Sequence, residues 1–389
     1  MCAVTAAFFI QSAAAADPKE IYDQSTEALY NLDFNTAERG YETLTREYSD
    51  NPDYWNALAS SIWLRITYEQ QKLNIESFSG PSLGTKESRD AVNPTDEKRL
   101  RDIVATAIAK ADLLLKKNPN DVRALYAKGI SNATLASFEA MAKRSFVSAG
   151  GKAKTARDLH QQVLDLDPAY DDARMAIGAY NYVVAVVPGF VRFLLWPMGI
   201  RTAGKDVGIQ QIETAAAKGK STATDARMLL VVVYNREKRY DQALRLVTEL
   251  HAQYPRNFLF ELAKASTYGK MKRWEEAVTI YEQALAKIQS KRDGYERLRP
   301  EKVYYALGTS NIELGQLSAA IDAFDQVVKS KGASSDEKAR AHLWLGKIYD
   351  SRNERPEALQ HYDTILALNC DNRLKAQAQR YKRDAYKGE

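Results

Sequence analysis

Residues 240–250 read YDQALRLVTEL and residues 274–284 read WEEAVTIYEQA. Superposed, the two stretches share an aromatic first residue and an Ala in the fourth place, followed by apolar residues at helical spacing. Ala243 and Ala277 stand 34 residues apart, as do Tyr234 and Tyr268 just upstream. A fixed period of this length marks a helical-repeat architecture, and it governs how every other segment is read.

Numbered from Thr224, one unit carries Val231 in slot eight, Tyr234 in slot eleven, Ala243 in slot twenty and Val247 in slot twenty-four, followed by Leu250 and Pro255. The next unit carries Ala265, Tyr268, Ala277, Tyr281 and Ala284 in the corresponding slots. The register continues downstream through Gly308, Gly315, Ala320 and Phe324, then Gly346, Tyr349, Ala358 and Tyr362. Upstream it is met by Ala37, Tyr41 and Leu44; by Ala107, Ala111, Leu114 and Pro119; by Ala156, Val163 and Pro168; and by Gly208, Ile212 and Ala215. Ala37, Ala107, Ala156, Gly208, Ala243, Ala277, Ala320 and Ala358 therefore mark eight units, of which the second to fourth carry insertions.

These slots resemble the pattern of the tetratricopeptide repeat (TPR) superfamily over nearly all of residues 17–389. The resemblance implies an all-α fold, a right-handed α-solenoid of about eight helix-hairpin units with three insertions. Each unit would be an antiparallel pair, helix A then helix B, whose backbones approach closely only where side chains are small. One pair cannot bury its own apolar face, so neighbouring pairs stack. Composition agrees. The 389 residues are 45% hydrophobic and 27% charged, with only 11 Pro and 19 Gly among an abundance of helix formers.

The domain reading follows the chain. Residues 1–16, MCAVTAAFFIQSAAAA, combine an apolar run with small residues before Asp17-Pro18, the pattern of a cleaved export signal that lacks a basic start. Residues 17–220 hold the TPR-like units with insertions at about 75–96, 141–153 and 188–203, and residues 221–372 hold the regular units. Residues 373–389 form a polar capping helix, as terminal repeats require, and the whole is expected to be one continuous solenoid. The first insertion reads as a surface loop, the second as a helix extension closed by Gly150-Gly151. The expected location is the periplasm or cell envelope, with a membrane-surface association as the alternative.

The third insertion lies in the most apolar stretch, VVAVVPGFVRFLLWPMGIR, residues 183–201. A membrane-spanning helix needs about 20 apolar residues in one run, and Pro188-Gly189 and Trp196-Pro197 interrupt this one. It is expected first as a buried insert and second as a contact surface, in which Phe190, Phe193, Leu194 and Trp196 beside Arg192 and Arg201 would touch a membrane face or a partner. Residues 175–215 also resemble the eukaryotic TPR family associated with the outer mitochondrial membrane and inclusion clearance, through a helix, an apolar segment and the order Gly199, Ile200, Arg201, Gly208. That resemblance implies a membrane-adjacent scaffold.

Chemistry is sparse in the sequence. The net charge of +5 is spread over 55 basic and 50 acidic residues, with no dense Lys/Arg run of the kind that binds nucleic acid. Cys2 lies in the export segment and Cys370 has no activating base beside it, so neither a disulfide nor a nucleophile is expected. His342 and His361 fall on the A and B helices of one unit and are expected to approach each other, but no third ligand is near in sequence. No metal, cofactor or catalytic residue is assigned, and the chain reads as a non-enzyme. In TPR proteins ligands commonly lie in the concave groove lined by helix A. Carried onto this chain, that groove holds Tyr126, Met175, Tyr182, Met228, Asn235, Leu262, Tyr305 and Lys347. The Lys/Asn set that grips a peptide's terminal carboxylate is absent, so the expected partner is a protein or peptide segment docked on apolar and aromatic residues. The alternative is a structural spacer or membrane-surface adaptor that uses the insert.

Overall fold

The computed structural model describes residues 17–70, 73, 92–187 and 196–388. Among them are seventeen α-helices and a short 3-10 turn at Trp196–Met198, with no strand. In pairs the helices are α1 (Pro18–Tyr30) and α2 (Phe34–Glu47), α3 (Pro52–Glu69) and α4 (Pro94–Lys117), α5 (Val122–Met141) and α6 (Phe146–Leu166), and α7 (Ala173–Val186) and α8 (Lys205–Lys218). They continue as α9 (Ala223–Arg236) and α10 (Tyr240–Gln253), α11 (Phe258–Lys270) and α12 (Trp274–Gln289), α13 (Pro300–Glu313) and α14 (Leu317–Lys329), and α15 (Ser335–Ser351) and α16 (Arg355–Ala367), closed by α17 (Asn372–Arg383). Eight hairpins and a terminal helix are what the eight markers imply.

Local chemistry starts these helices where the sequence suggests. Asp17, Asn51 and Asn93 each accept a backbone N–H in front of a Pro at the first helical position, where the missing Pro donor costs nothing. Ser334 and Glu337 close a reciprocal capping box at α15. The turns between A and B helices repeat as well. Leu32, Lys238, Lys272, Gly315 and Asn353 all lie in the left-handed region, with φ between 60° and 72°. In each of those turns the following N–H donates to the carbonyl five residues earlier, as in Arg273 N to Tyr268 O at 2.9 Å and Glu354 N to Tyr349 O at 2.9 Å.

The chain divides into two compact units, each considered by itself: residues 17–70 with 92–167, and the described residues from 168 onward. In the first, each helix packs on the next and α3 also packs on α5. Phe34, Tyr41, Leu44, Ile62, Leu100 and Phe138 fill its core. In the second, α7 to α17 pack in sequence order, and the apolar contents of successive hairpins form clusters around Ile212 and Tyr234, around Phe324 and Leu345, and around Tyr362 and Ala378.

All eight markers lie on B helices. The seven alanines are at most 3% exposed, and Gly208 is buried. The small residue in slot eight meets two kinds of neighbour. In the hairpin α7/α8 backbone meets backbone: a Cβ on Gly178 would lie 2.6 Å from Gly208 O, and one on Gly208 would lie 2.6 Å from Tyr182 N. Elsewhere a glycine meets a ring. A Cβ on Gly308 would lie 2.8 Å from the Phe324 ring, on Gly346 2.5 Å from the Tyr362 ring, and on Gly129 2.4 Å from the His160 ring. Slot eight therefore makes room for slot twenty-four, four residues past the marker.

One local expectation is corrected. Gly150-Gly151 does not close a helix; α6 runs straight through both residues. Two internal glycines cost about 2 kcal/mol relative to alanine, and the long packing of α6 along α5, which buries Ala149, outweighs that. In the third unit the ring slot holds His160 and the apolar slot after it holds Val163, both fully buried on α6.

Candidate interaction face

The A helices of the second unit carry most of the residues expected to meet a partner. In slot five, Met175 on α7, Met228 on α9, Leu262 on α11 and Tyr305 on α13 are all half-buried, whereas the equivalent Leu343 on α15 is sealed in the cluster that includes Ala378 of α17. Apolar side chains thus recur, partly open to water, at one place on successive A helices until the capping helix covers the last.

Other expected residues are engaged in packing. Tyr182 is buried and its hydroxyl donates to Glu237 Oε1 at 3.0 Å; burial first, and then this carboxylate, hold its ionisation well above the usual range. Asn235, 3% exposed, donates from Nδ2 to Val231 O at 2.9 Å and to Thr267 Oγ1 at 3.1 Å, tying α9 to α11. In the first unit Tyr126 is buried, its ring edge-on to His160 at 5.2 Å between centroids.

Tyr305 and Lys347 belong to a continuous aromatic assembly. Tyr305 stands edge-on to Phe324, Phe324 stacks on Trp344, and Trp344 Nε1 donates to the Tyr305 hydroxyl at 3.1 Å. One turn further along α15, Lys347 Nζ lies 4.6 Å from the centre of the Trp344 ring, 5.3 Å from Tyr381 and 5.0 Å from Tyr386. No carboxylate pairs with it among the described residues. Burial first, and then nearby Arg380, push its pKa below the ordinary lysine value, while the three ring faces offset part of that cost by cation–π attraction.

Below Lys347 is Asp350, whose side chain is fully sealed. It accepts from Arg355 Nη1 at 2.8 Å, from the Tyr362 hydroxyl at 2.9 Å and from the Tyr386 backbone N–H at 2.9 Å. Arg355 Nη2 in turn donates to the carbonyls of Tyr381 and Lys382 at 2.9 and 2.6 Å. The end of α17 and the non-helical residues after it are thereby fastened to the A-helix face of α15. Nothing in the local pattern around Tyr386 announces this; it depends on where the chain returns.

His342 and His361 do meet, with their Nδ1 atoms 2.9 Å apart, one donating and the other accepting. Burial, and then the neighbouring imidazole, hold His342 down to about 4, and burial also lowers His361 despite the opposing charge of Asp325. Tyr349 stacks on His361 at 5.3 Å. Among the described residues no three His, Cys, Asp or Glu side chains are grouped so as to hold a metal ion. Cys370 is half-buried after α16, and burial pushes its thiol up, away from nucleophilic use.

In the insert, Val184 is buried and Val183 exposed at the end of α7, and Trp196 is 60% exposed. Phe190, Phe193 and Leu194 lie outside the described residues, as does the 1–16 segment. No described helix is long and apolar enough to cross a membrane.

Comparison with known proteins bears on the repeats. Residues 262–294 and residues 305–372 each match a family model described as tetratricopeptide repeat. Neither segment includes residues 175–215. No curated protein matches the sequence. Among solved structures the chain is similar to a human IFIT1 dimer with m7Gppp-AAAA, at 14% identity over 95% of this chain and 87% of that one, TM-score 0.42. It is also similar to yeast Tom70, at 13% identity over 95% and 89%, TM-score 0.39. A tetratricopeptide repeat protein from Parabacteroides merdae follows at 14% identity over 80% and 91%, TM-score 0.31. Residues 262–294 and 305–372 are thus tetratricopeptide repeats, and the hairpins on either side of them repeat the same A-then-B order with small residues at their crossings.

Proposed function

We propose that this chain is a non-catalytic interaction scaffold of the cell envelope whose A-helix face in the second unit binds an extended segment of a partner protein. The observation that carries the reading is the recurrence of Met175, Met228, Leu262 and Tyr305 in one slot of successive A helices, each half-buried. Side chains that served packing alone would be sealed like the B-helix markers. Apolar and aromatic anchors, repeated at the period of the fold, suit a partner read along its length. The absence of a Lys/Asn carboxylate clamp favours recognition of an internal segment over a chain end.

The test places a photo-crosslinking residue at Leu262 or Tyr305 on the A-helix face, with Glu282 and Gln283 of α12, both exposed, as controls. Crosslinking in native envelopes to one partner from the first pair and not from the controls supports the reading. Equal yield at all four positions would remove it.

A second reading rests on Trp196, whose 60% exposure is large for an indole. It makes the insert a membrane-surface or partner contact, and the chain an adaptor or spacer. Vesicle flotation of the wild type and the Phe193→Ser/Trp196→Ser variant decides it: equal partition of the two rejects membrane contact.

A further inference from the structure

We propose that the α15 end of the A-helix face is a recognition site for an extended, tyrosine-bearing peptide, and that residues 384–388 of this chain fill it in cis as a built-in competitor. The proposal deepens the scaffold reading and rests on it. Three features distinguish this segment from a plain cap. First, residues 385–388 are not helical, so they do not extend the repeat that α17 closes. Second, their contacts are those a peptide ligand would make: a backbone N–H from Tyr386 to the sealed carboxylate of Asp350 at 2.9 Å, and the Tyr386 ring over Lys347 Nζ at 5.0 Å. The first of these reads backbone and the second reads a side chain, the division of labour by which extended peptides are recognised.

Third, the receiving site is prepared without the segment. Asp350 is held by Arg355 and Tyr362. Lys347 already lies over Trp344 at 4.6 Å, and Trp344 is fixed by its bond to Tyr305 at 3.1 Å. Removing Tyr386 would leave a half-buried ammonium with one ring face fewer and no anion, and one hydrogen-bonding position on a buried carboxylate open. Both are deficits that a tyrosine in an extended partner segment would fill. A tethered segment competes at an effective concentration on the order of millimolar. Resting occupancy therefore needs a dissociation constant at or below that range, and a partner must bind more tightly to displace it.

The experiment titrates a labelled peptide of residues 383–388, RDAYKG, into the full chain and into a variant ending at Arg383, up to millimolar concentration. Saturable binding to the shortened chain, at least tenfold weaker to the full chain and lost when the peptide's tyrosine is replaced by alanine, is the expected result. Absence of binding to a shortened chain with native helicity, or equal binding to both chains, overturns the proposal. Should the shortened chain fail to fold, pulsed acetylation of the full-length Tyr386→Ala variant decides. Lys347 is expected to react at least fivefold faster than in the wild type relative to Lys302, and an unchanged ratio overturns the proposal. These measurements report on Lys347 and Asp350 alone. A failed crosslink at Leu262 with a positive peptide result would count against the scaffold reading and leave the site standing.

Discussion

The hairpins α5/α6 and α15/α16 solve one packing problem with different chemistry. Each sets a glycine in slot eight against a ring four residues past the B-helix alanine: Gly129 against His160, and Gly346 against Tyr362. The ring is fully sealed in both. Tyr362 extends its hydroxyl to Asp350 at 2.9 Å. His160 turns Nδ1 back to the Ala156 carbonyl at 2.7 Å, and its buried Nε2 has no hydrogen-bond partner. In these two hairpins the slot seats a flat ring beside a missing side chain whatever that ring's polar atom. Stability then depends on how the atom is satisfied.

The largest consequence concerns acid. Burial lowers the His160 pKa from 6.5 to about 4, so the unfolded chain takes up a proton that the folded chain refuses. Stability present above pH 6.5 is lost as pH falls through that window and levels off below pH 4, a loss of about 3 kcal/mol. His342 adds a contribution of the same sign in the second unit, so the measurement has to be local. Hydrogen exchange of α5 and α6 amides at pH 7 and pH 4.5 should show the loss, and His160→Phe should abolish it there. Retention of the acid effect in that variant would break the comparison.

Adding a methyl group to either glycine tests what the two hairpins share. Gly129→Ala and Gly346→Ala each drive a carbon to within 2.4–2.5 Å of a ring that has nowhere to go. Overpacking of this kind costs about 1–3 kcal/mol, to be read from urea midpoints. Tyr362→Phe tests what they do not share. It removes one of the bonds to Asp350 while Arg355 remains, and is expected to cost about 1 kcal/mol. The smallest effect is a gain. Lys272 holds φ at 60° in the turn where the equivalent residue two turns later is Gly315. Lys272→Gly should raise stability by about 0.5 kcal/mol, the left-handed strain relieved less the added backbone entropy.

Much of this fold can be read in the sequence because the markers are steric. Alanine at residues 243, 277, 320 and 358 recurs where helices nearly touch, and its burial follows from backbone geometry rather than from any particular partner. His160 was equally legible: it follows Ala156 by four residues, as Tyr362 follows Ala358. Gly150-Gly151 misleads because local propensity is weak beside a long helix–helix contact. The candidate face was only partly legible. Leu262 and Tyr305 lie half-open on A helices, whereas Asn235 faces inward to Thr267, and helical spacing alone does not separate these cases. The site at Lys347 required knowing where Tyr381 and Tyr386 return to α15, a long-range event with no local signature.

A double-mutant cycle at residues 346 and 362 tests the central claim, that Gly346, like Gly129 and Gly308, makes room for the ring in slot twenty-four, most directly. Gly346→Ala is measured in the wild type and in Tyr362→Leu, where the ring is gone. The account predicts strong coupling: the cost of the added methyl group should fall by at least 1 kcal/mol once the ring is removed. Additive effects of the two substitutions would contradict it.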